Sequence, residues 1–410
     1  MTVTFADIEK ARILLSGHIK RTPMLQSPGI TEHLGLPVYL KAENLQRAGS
    51  FKVRGALNKI HSLTEEEKAR GVIAASAGNH AQGVALAASS LGIRSVICMP
   101  EGAPIAKLEA TQGYGAQVVL HGETYDDAYQ KARALQAEHG YTFIHGFDDP
   151  YTIAGQGTVG LEIVEDLPDI ATVVVPIGGG GLMAGVALAV KSLKPGVRVV
   201  GVQAAGAPAV FLSRQQGKLV ATDSVHTIAD GIAIKKPGAL CWEIIREHVD
   251  DIVLVDEEEI AQSILFLLER AKVIVEGAGA VGMAALLGDK IPDLQGPVCV
   301  VLSGGNIDVN IISRIIERGL VKAGRYIRIS TFVPDRPGGL QQLLATVAQA
   351  GANVIDVRHE RWLNKVTIGE VEITLALETR NARHVDEILA TLKAKGYHVW
   401  IIPPYRPNDW

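Results

Sequence analysis

Runs that are apolar at every position recur along most of this chain, and each is followed by an Ala/Leu-rich stretch of helical composition. Residues 71–76 (GVIAAS) lead into 78–92, residues 94–100 (RSVICMP) into 103–115, and residues 116–122 (AQVVLHG) follow; 171–193, 197–206 and 296–306 repeat the pattern. A run such as TVVVPI has no polar face to give to water, so it predicts a strand covered on both sides. Strands of that kind joined through helices make βαβ units and a parallel sheet, an α/β fold with several strand-to-helix turns. At 410 residues, 47% hydrophobic and 20% charged, the chain is too long for one core and predicts two or more domains.

The pattern changes near residues 320–325. Residues 326–361 read as strand, helix, strand, and residues 366–379 with 382–402 supply strand, helix, strand. That βαββαβ order is ferredoxin-like and is long enough for a separate small domain. The expected division is 1–320 for the main body, with a smaller subdomain of roughly 50–150 inserted in it, and 325–403 for the tail.

A net charge of −4 gives no basic field for nucleic acid or an anionic membrane, which leaves small-molecule work as the expected role. Cys98, Cys241 and Cys299 have apolar neighbours and no metal-ligand spacing, and are expected as buried reduced thiols. The first residues lack a signal-peptide core and no apolar run reaches spanning length, so the expected location is cytoplasmic, without membrane contact.

Four segments carry candidate chemistry. In the first, Gly49 and Ser50 read as a tight turn and helix cap, placing Lys52 in the first helical turn. The positive end of a helix dipole there disfavours an ammonium and suits a nucleophilic amine that forms a Schiff base with an aldehyde; the alternative is an ordinary surface lysine. In the second, Ser76, Ala77, Gly78, Asn79 and His80 follow a strand and open a helix, fitting either a carboxylate held by backbone N–H groups or a plain capping turn. The third, Gly178, Gly179, Gly180, Gly181 and Leu182, sits at a strand-to-helix junction where consecutive N–H groups can face a phosphate. It is neither a Walker A loop nor a GxGxxG fingerprint, and a closely packed turn is the other reading. The fourth, Ser303, Gly304, Gly305 and Asn306, places a hydroxyl at a C-terminal strand edge.

Together and in this order, the four segments resemble the fold-type II pyridoxal-phosphate enzymes, specifically the threonine/serine dehydratase branch, over nearly all of residues 5–315. The resemblance implies two open α/β domains like those of the tryptophan synthase β chain, pyridoxal 5'-phosphate as cofactor and Lys52 as its covalent anchor and catalytic base. It implies that Phe51 packs near the cofactor ring, that Asn79 bonds the ring hydroxyl, that residues 178–182 cradle the phosphate and that Ser303 bonds the pyridine nitrogen. Ser76, Ala77, Gly78, Asn79 and His80 become the substrate-binding loop, and residues 147–150 and 155–158 an inter-domain stretch. The implied reaction is β-elimination of L-threonine, and of L-serine, to 2-oxobutanoate or pyruvate and ammonia, with the cofactor phosphate protonating the leaving hydroxyl. A homo-oligomer, dimer or tetramer, is implied as well.

Departures from the branch are informative. Ala48 replaces the usual Thr, implying a lost local hydrogen bond. Ala77 stands where racemases carry a serine that serves the second face of the substrate, which argues against racemisation. Gln203 and Ala209 replace two carboxylates of the metal-binding form, so no metal site is expected. The rivals are a serine racemase or serine-preferring dehydratase and a non-catalytic amino-acid sensor; cysteine synthase and threonine synthase fit less well, because Asn79 is followed by His80 and Ala81.

The tail resembles an ACT domain. That resemblance implies an amino-acid effector site at Asp335, Gly338, Gly339, Leu340 and Asn353, with simple dimerisation as the other reading. Threonine against serine, the identity of an effector, and a biosynthetic isoleucine role against a catabolic one stay open at this level.

Overall fold

Four of the apolar runs form strands that are buried along their whole length, Val72–Ala75, Ser95–Met99, Thr172–Pro176 and Val298–Val301, whereas Gln117–Leu120, at a sheet edge, is partly exposed. A computed structural model describes residues 2–361 and 368–402; Val366 and Thr367, expected at the start of a strand, and residue 403 lie outside the described residues. The chain divides into two units, Met1–Asp308 and Val309–Trp410.

The first unit holds two sheets. The larger has six strands in the order Met24–Gln26, Val38–Lys41, Val298–Val301, Thr172–Pro176, Arg198–Ala204 and Asp251–Val255. Its first pair is antiparallel and every later pair parallel. The smaller sheet is parallel throughout, in the order Gln117–Leu120, Ser95–Met99, Val72–Ala75 and Thr142–Phe143. Helices bury the faces; Gly277–Leu287 is covered all round except at its last residue, as its lack of polar residues requires. All three cysteines are buried and unpaired.

The second unit has strands Asn353–Glu360, Glu370–Glu378, Tyr326–Pro334 and Val399–Ile401 in that spatial order, antiparallel throughout. Helices Gly339–Gln349 and Ala382–Ala394 pack on an aliphatic core that includes Ile329, Leu343, Leu375 and Ile388. This is the expected βαββαβ order. The boundary falls earlier than the composition change near 320–325 implied: helix Val309–Lys322 groups with the second unit, and although half of its residues are aliphatic, Ile315 alone is buried. No helix among the described residues is long and apolar enough to cross a membrane.

Candidate active site

In parallel sheets ligands gather at the C-terminal strand ends. Here a partly enclosed cavity lies where Thr172–Pro176 and Val298–Val301 end, lined by Phe51, Lys52, Asn79, residues 178–182 and Ser303 from the expected set. Phe147, Gly231, Ile232, Glu276 and Ala278 also line it.

The Lys52 segment turns sharply before its helix. Ala48 and Gly49 both have positive φ, 58° and 69°, and a side chain at Gly49 would fall 2.2 Å from Asn306 Oδ1, so only glycine serves there. The turn is stitched to the fourth segment: Phe51 N–H donates to Ser303 O (3.2 Å), Gly305 N–H to Gly49 O (2.9 Å) and Asn306 Nδ2 to Ala48 O (2.8 Å). The backbone of Ala48 thus makes its own tie in the absence of a hydroxyl. Ser50 does not cap the helix, contrary to the sequence reading; Phe51 holds the cap position with helical backbone angles, and the buried Ser50 hydroxyl has no partner. Lys52 is nevertheless the first residue of helix Lys52–His61. Its Nζ donates to Gly146 O (2.9 Å) and lies 5.1 Å from the centre of the Phe51 ring. Burial pulls the amine down to about 8, against the opposing effect of Cys241 and Glu276.

Behind Lys52 the same helix is anchored by charge. Arg54, fully buried, binds Glu43 through Nε and Nη2 (both 2.8 Å) and Glu162 through Nη1 and Nη2 (2.7 and 3.0 Å). Lys41, also fully buried, joins Glu162 at 2.6 Å and Thr22 O at 2.8 Å.

Asn79 opens helix Asn79–Ser90 and is the one residue of the second segment that lines the cavity. Ser76 Oγ accepts from Gly78 N–H (3.2 Å), a local turn ahead of the helix, whose N-cap, Gly78, has no side-chain cap. The His80 ring is bonded to Ile144 O at 2.8 Å; burial and Lys52 push it down to about 3, so the ring is a neutral packing group and leaves the backbone of His80 as the part of it available to a substrate. One position along a helix turns a side chain by about 100°, enough to send neighbours to different walls.

The four-glycine turn leads into helix Gly181–Leu193, with Gly180 at φ 103°. Added side chains have no room: a Cβ at Gly179 would lie 2.4 Å from the Phe147 ring, and one at Gly180 2.8 Å from Cys241 Cβ. Phe147 and Cys241 are fixed by Asp148, whose carboxylate accepts the N–H groups of Ala239, Leu240 and Cys241 (3.0–3.2 Å), and the Cys241 thiol donates to Phe147 O (3.3 Å). Among the described residues, the N–H groups of residues 178–182 have no acceptor, which leaves five donors on residues that line the cavity at a helix N-terminus.

Glu276 is the residue that sequence reasoning missed. It is buried, and its Oε1 accepts from Asn79 Nδ2 at 2.6 Å. Burial, with Asp230 adding to it, lifts its carboxyl to about 7. Gln203 is internally satisfied, donating to Ile177 O (3.3 Å) and accepting from Phe211 N–H (2.8 Å).

A half-buried amine of lowered basicity, lining the same cavity as a glycine turn whose N–H groups have no acceptor among the described residues, suits a phosphorylated carbonyl cofactor. The chain belongs to the family of pyridoxal-phosphate-dependent enzymes, whose sequence profile matches residues 15–304. It is 54% identical to the L-threonine ammonia-lyase of Thermotoga maritima over 98% of this chain and 100% of that protein. It is 48% identical to the catabolic L-threonine dehydratase of Escherichia coli over 77% of this chain and 96% of that one. Among solved structures, the processed form of threonine deaminase isoform 2 from Solanum lycopersicum matches with a TM-score of 0.72 at 37% identity, covering 76% of this chain and 91% of that chain. Maize serine racemase matches with a TM-score of 0.74 at 36% identity, covering 78% of this chain and 99% of the other.

In the second unit the expected effector residues do not meet. Asp335 follows the strand end paired with Glu370 and is ion-paired with Arg361 (3.0 Å), and Gly338, Gly339 and Leu340 begin the next helix. Asn353 pairs with Glu378 at the far end of the same strands. Eight residues of strand, about 26 Å, separate the two ends.

Proposed function

We infer that this chain is a pyridoxal-phosphate-dependent lyase that deaminates L-threonine to 2-oxobutanoate and ammonia, with L-serine as a second substrate yielding pyruvate. The observation that carries the reading is Lys52, a half-buried amine with its basicity lowered to about 8, in one cavity with residues 178–182, whose N–H groups have no acceptor among the described residues. The relatives named above, threonine ammonia-lyase over almost the whole chain, support the same substrate.

Bound in the cavity, the cofactor supplies an aldehyde for Lys52 and a conjugated ring that takes up the electrons of the substrate Cα–H bond. The N–H groups of residues 178–182 would hold its phosphate, Phe51 would pack against its ring, Asn79 would donate to its ring hydroxyl and Ser303 to its ring nitrogen. Ser303 is neutral, so it offers a hydrogen bond and no counter-charge. Lys52 Nζ takes the substrate α-proton; an amine near 8 is poised for that at neutral pH. The N–H groups of Ala77, Asn79 and His80, which have no acceptor among the described residues, would receive the substrate carboxylate, while the His80 side chain contributes packing alone. Loss of the β-hydroxyl leaves an enamine that tautomerises and hydrolyses in water.

The second unit acts on this reading as a regulatory ACT domain. Since Asp335 and Asn353 lie at opposite ends of its strands, an effector that touches both needs two copies of the unit, which ties regulation to a homo-oligomer. Support comes from the E. coli dehydratase, in which just under a quarter of this chain has no counterpart. The decisive experiment is keto-acid release from L-threonine and L-serine, with and without isoleucine or valine, together with chiral analysis of serine. Threonine turnover with negligible D-serine is expected; D-serine at a comparable rate transfers the assignment to a racemase in spite of Ala77.

A further inference from the structure

Glu276 sits at the N-cap of helix Gly277–Leu287, where a carboxylate ordinarily turns back to the first N–H groups of its helix. It makes no such bond. Its backbone is tied instead, N–H donating to Gly304 O at 3.1 Å, and its side chain reaches Asn79. Two glycines from separate segments make room for it: a side chain at Gly304 would fall 2.3 Å from Glu276 Oε1, and one at Gly231 3.2 Å from it.

The carboxylate completes a relay. Asn306 Nδ2 donates to Asn79 Oδ1 (2.8 Å), and Asn79 Nδ2 donates one hydrogen to Glu276 Oε1 (2.6 Å). An amide held at both ends has one N–H left, and Asn79 lines the cavity. The charged groups facing Glu276 are Asp230, from the turn Asp230–Ile232, and Lys107, from helix Ile105–Gly113, which are paired with each other, and Lys52 across the cavity. Cys241, His80 and His145 are the other titratable groups around Lys52. Among the described residues no cation contacts the Glu276 carboxylate directly, and a buried carboxylate without a paired cation is a poor structural element.

We propose that Glu276 is a positioning residue for the reaction: it locks the Asn79 amide with one donor toward the cavity and sets a carboxylate in the same cavity as Lys52. This rests on the function inferred above only in assigning Lys52 to catalysis; the electrostatic coupling between the two side chains is a property of the protein itself. A carboxyl balanced between its two forms near neutrality makes that coupling pH-dependent.

The test is the pH dependence of Lys52 acetylation by acetic anhydride in the full-length protein cleared of cofactor, read by peptide mapping. Glu276→Gln keeps an acceptor for Asn79 and removes the charge, so the Lys52 midpoint should fall by about half a pH unit or more. In the cofactor-loaded variant, kcat on threonine should fall about tenfold with KM changed less than about threefold. An unchanged midpoint together with an unchanged pH profile of kcat overturns the proposal. If Glu276→Gln does not accumulate, infrared spectra of the wild-type protein across the same pH range replace it. A buried carboxylic-acid band lost near pH 7 supports the proposal, and no titrating band there overturns it. Because labelling uses no substrate, a protein that shows the shift yet releases no keto acid upholds the coupling and refutes the threonine reading separately.

Discussion

Replacing Arg54 by methionine should cost about 3–5 kcal/mol of stability at neutral pH, and the deficit should shrink on acidification. Arg54 is the shared cation of two carboxylates, bonded twice to Glu43 and twice to Glu162, all inside the protein. Methionine fills much of the volume, so the loss is one of charge. Glu162 keeps Lys41 at 2.6 Å, whereas Glu43, with no exposed surface, keeps only the Thr22 hydroxyl at 2.5 Å and the more distant Lys41. In the wild type, burial pushes Glu43 up, but Arg54, Thr22 and Lys41 together outweigh it and hold the carboxyl below its ordinary value. Such a group stabilises above its unfolded pKa, and that contribution is lost as pH falls through the folded one. Without Arg54 the burial effect remains and the sign reverses: the carboxyl rises above its unfolded pKa, so stability is present in acid and lost as pH rises. Urea unfolding of the cofactor-loaded protein should therefore show a midpoint lower by about 1 M near neutrality and a smaller difference near pH 5. Adding Glu43→Gln should restore part of the loss, since it removes the stranded charge. A wild-type midpoint for Arg54→Met at neutral pH, or a deficit that grows in acid, would refute the reasoning. Since Arg54 shares a helix with Lys52, the same variant should lose activity before it unfolds.

Three further outcomes are expected. Covalent uptake of cofactor by the cofactor-free protein should accelerate with pH and level off above about 8, as the Lys52 amine loses its proton; a rate flat across that range contradicts the lowered basicity. Gly179→Ala drives a methyl into the Phe147 ring at 2.4 Å and should cost about 1–3 kcal/mol and weaken cofactor binding, measured by equilibrium dialysis; retained affinity would mean the turn can shift. Removing residues 309–410 should leave threonine deamination and abolish any response to isoleucine or valine, measured as keto-acid release; a full response in the shortened chain would put the effector site in the first unit.

The features legible in the sequence are those whose meaning is local. Four apolar runs became buried strands because nothing in them could face water, and the four-glycine turn, the Lys52 turn and Ser303 each sit where a strand-to-helix junction puts them. Glu276 was illegible because its neighbours, Val275 and Gly277, give it the look of a helix cap; its partner Asn79 is 197 positions away and only the fold brings them together. The direction of the His80 ring was illegible for the same reason, since its partner Ile144 lies 64 positions away. Asp335 and Asn353 were grouped by family likeness, while strand register sets them at opposite ends. Phe147 was visible only as part of a connecting stretch, although it is the wall that forbids side chains on the glycine turn.

The five N–H groups of that turn tie folding to supply. A donor that finds no acceptor within the protein leaves part of the fold's hydrogen bonding to be completed by a ligand, so an anion seated there binds the folded chain and not the unfolded one. Such a ligand at a hundred times its dissociation constant adds about 2.7 kcal/mol to the stability of the protein. Protein that carries the cofactor is then expected to resist unfolding and proteolysis better than protein cleared of it.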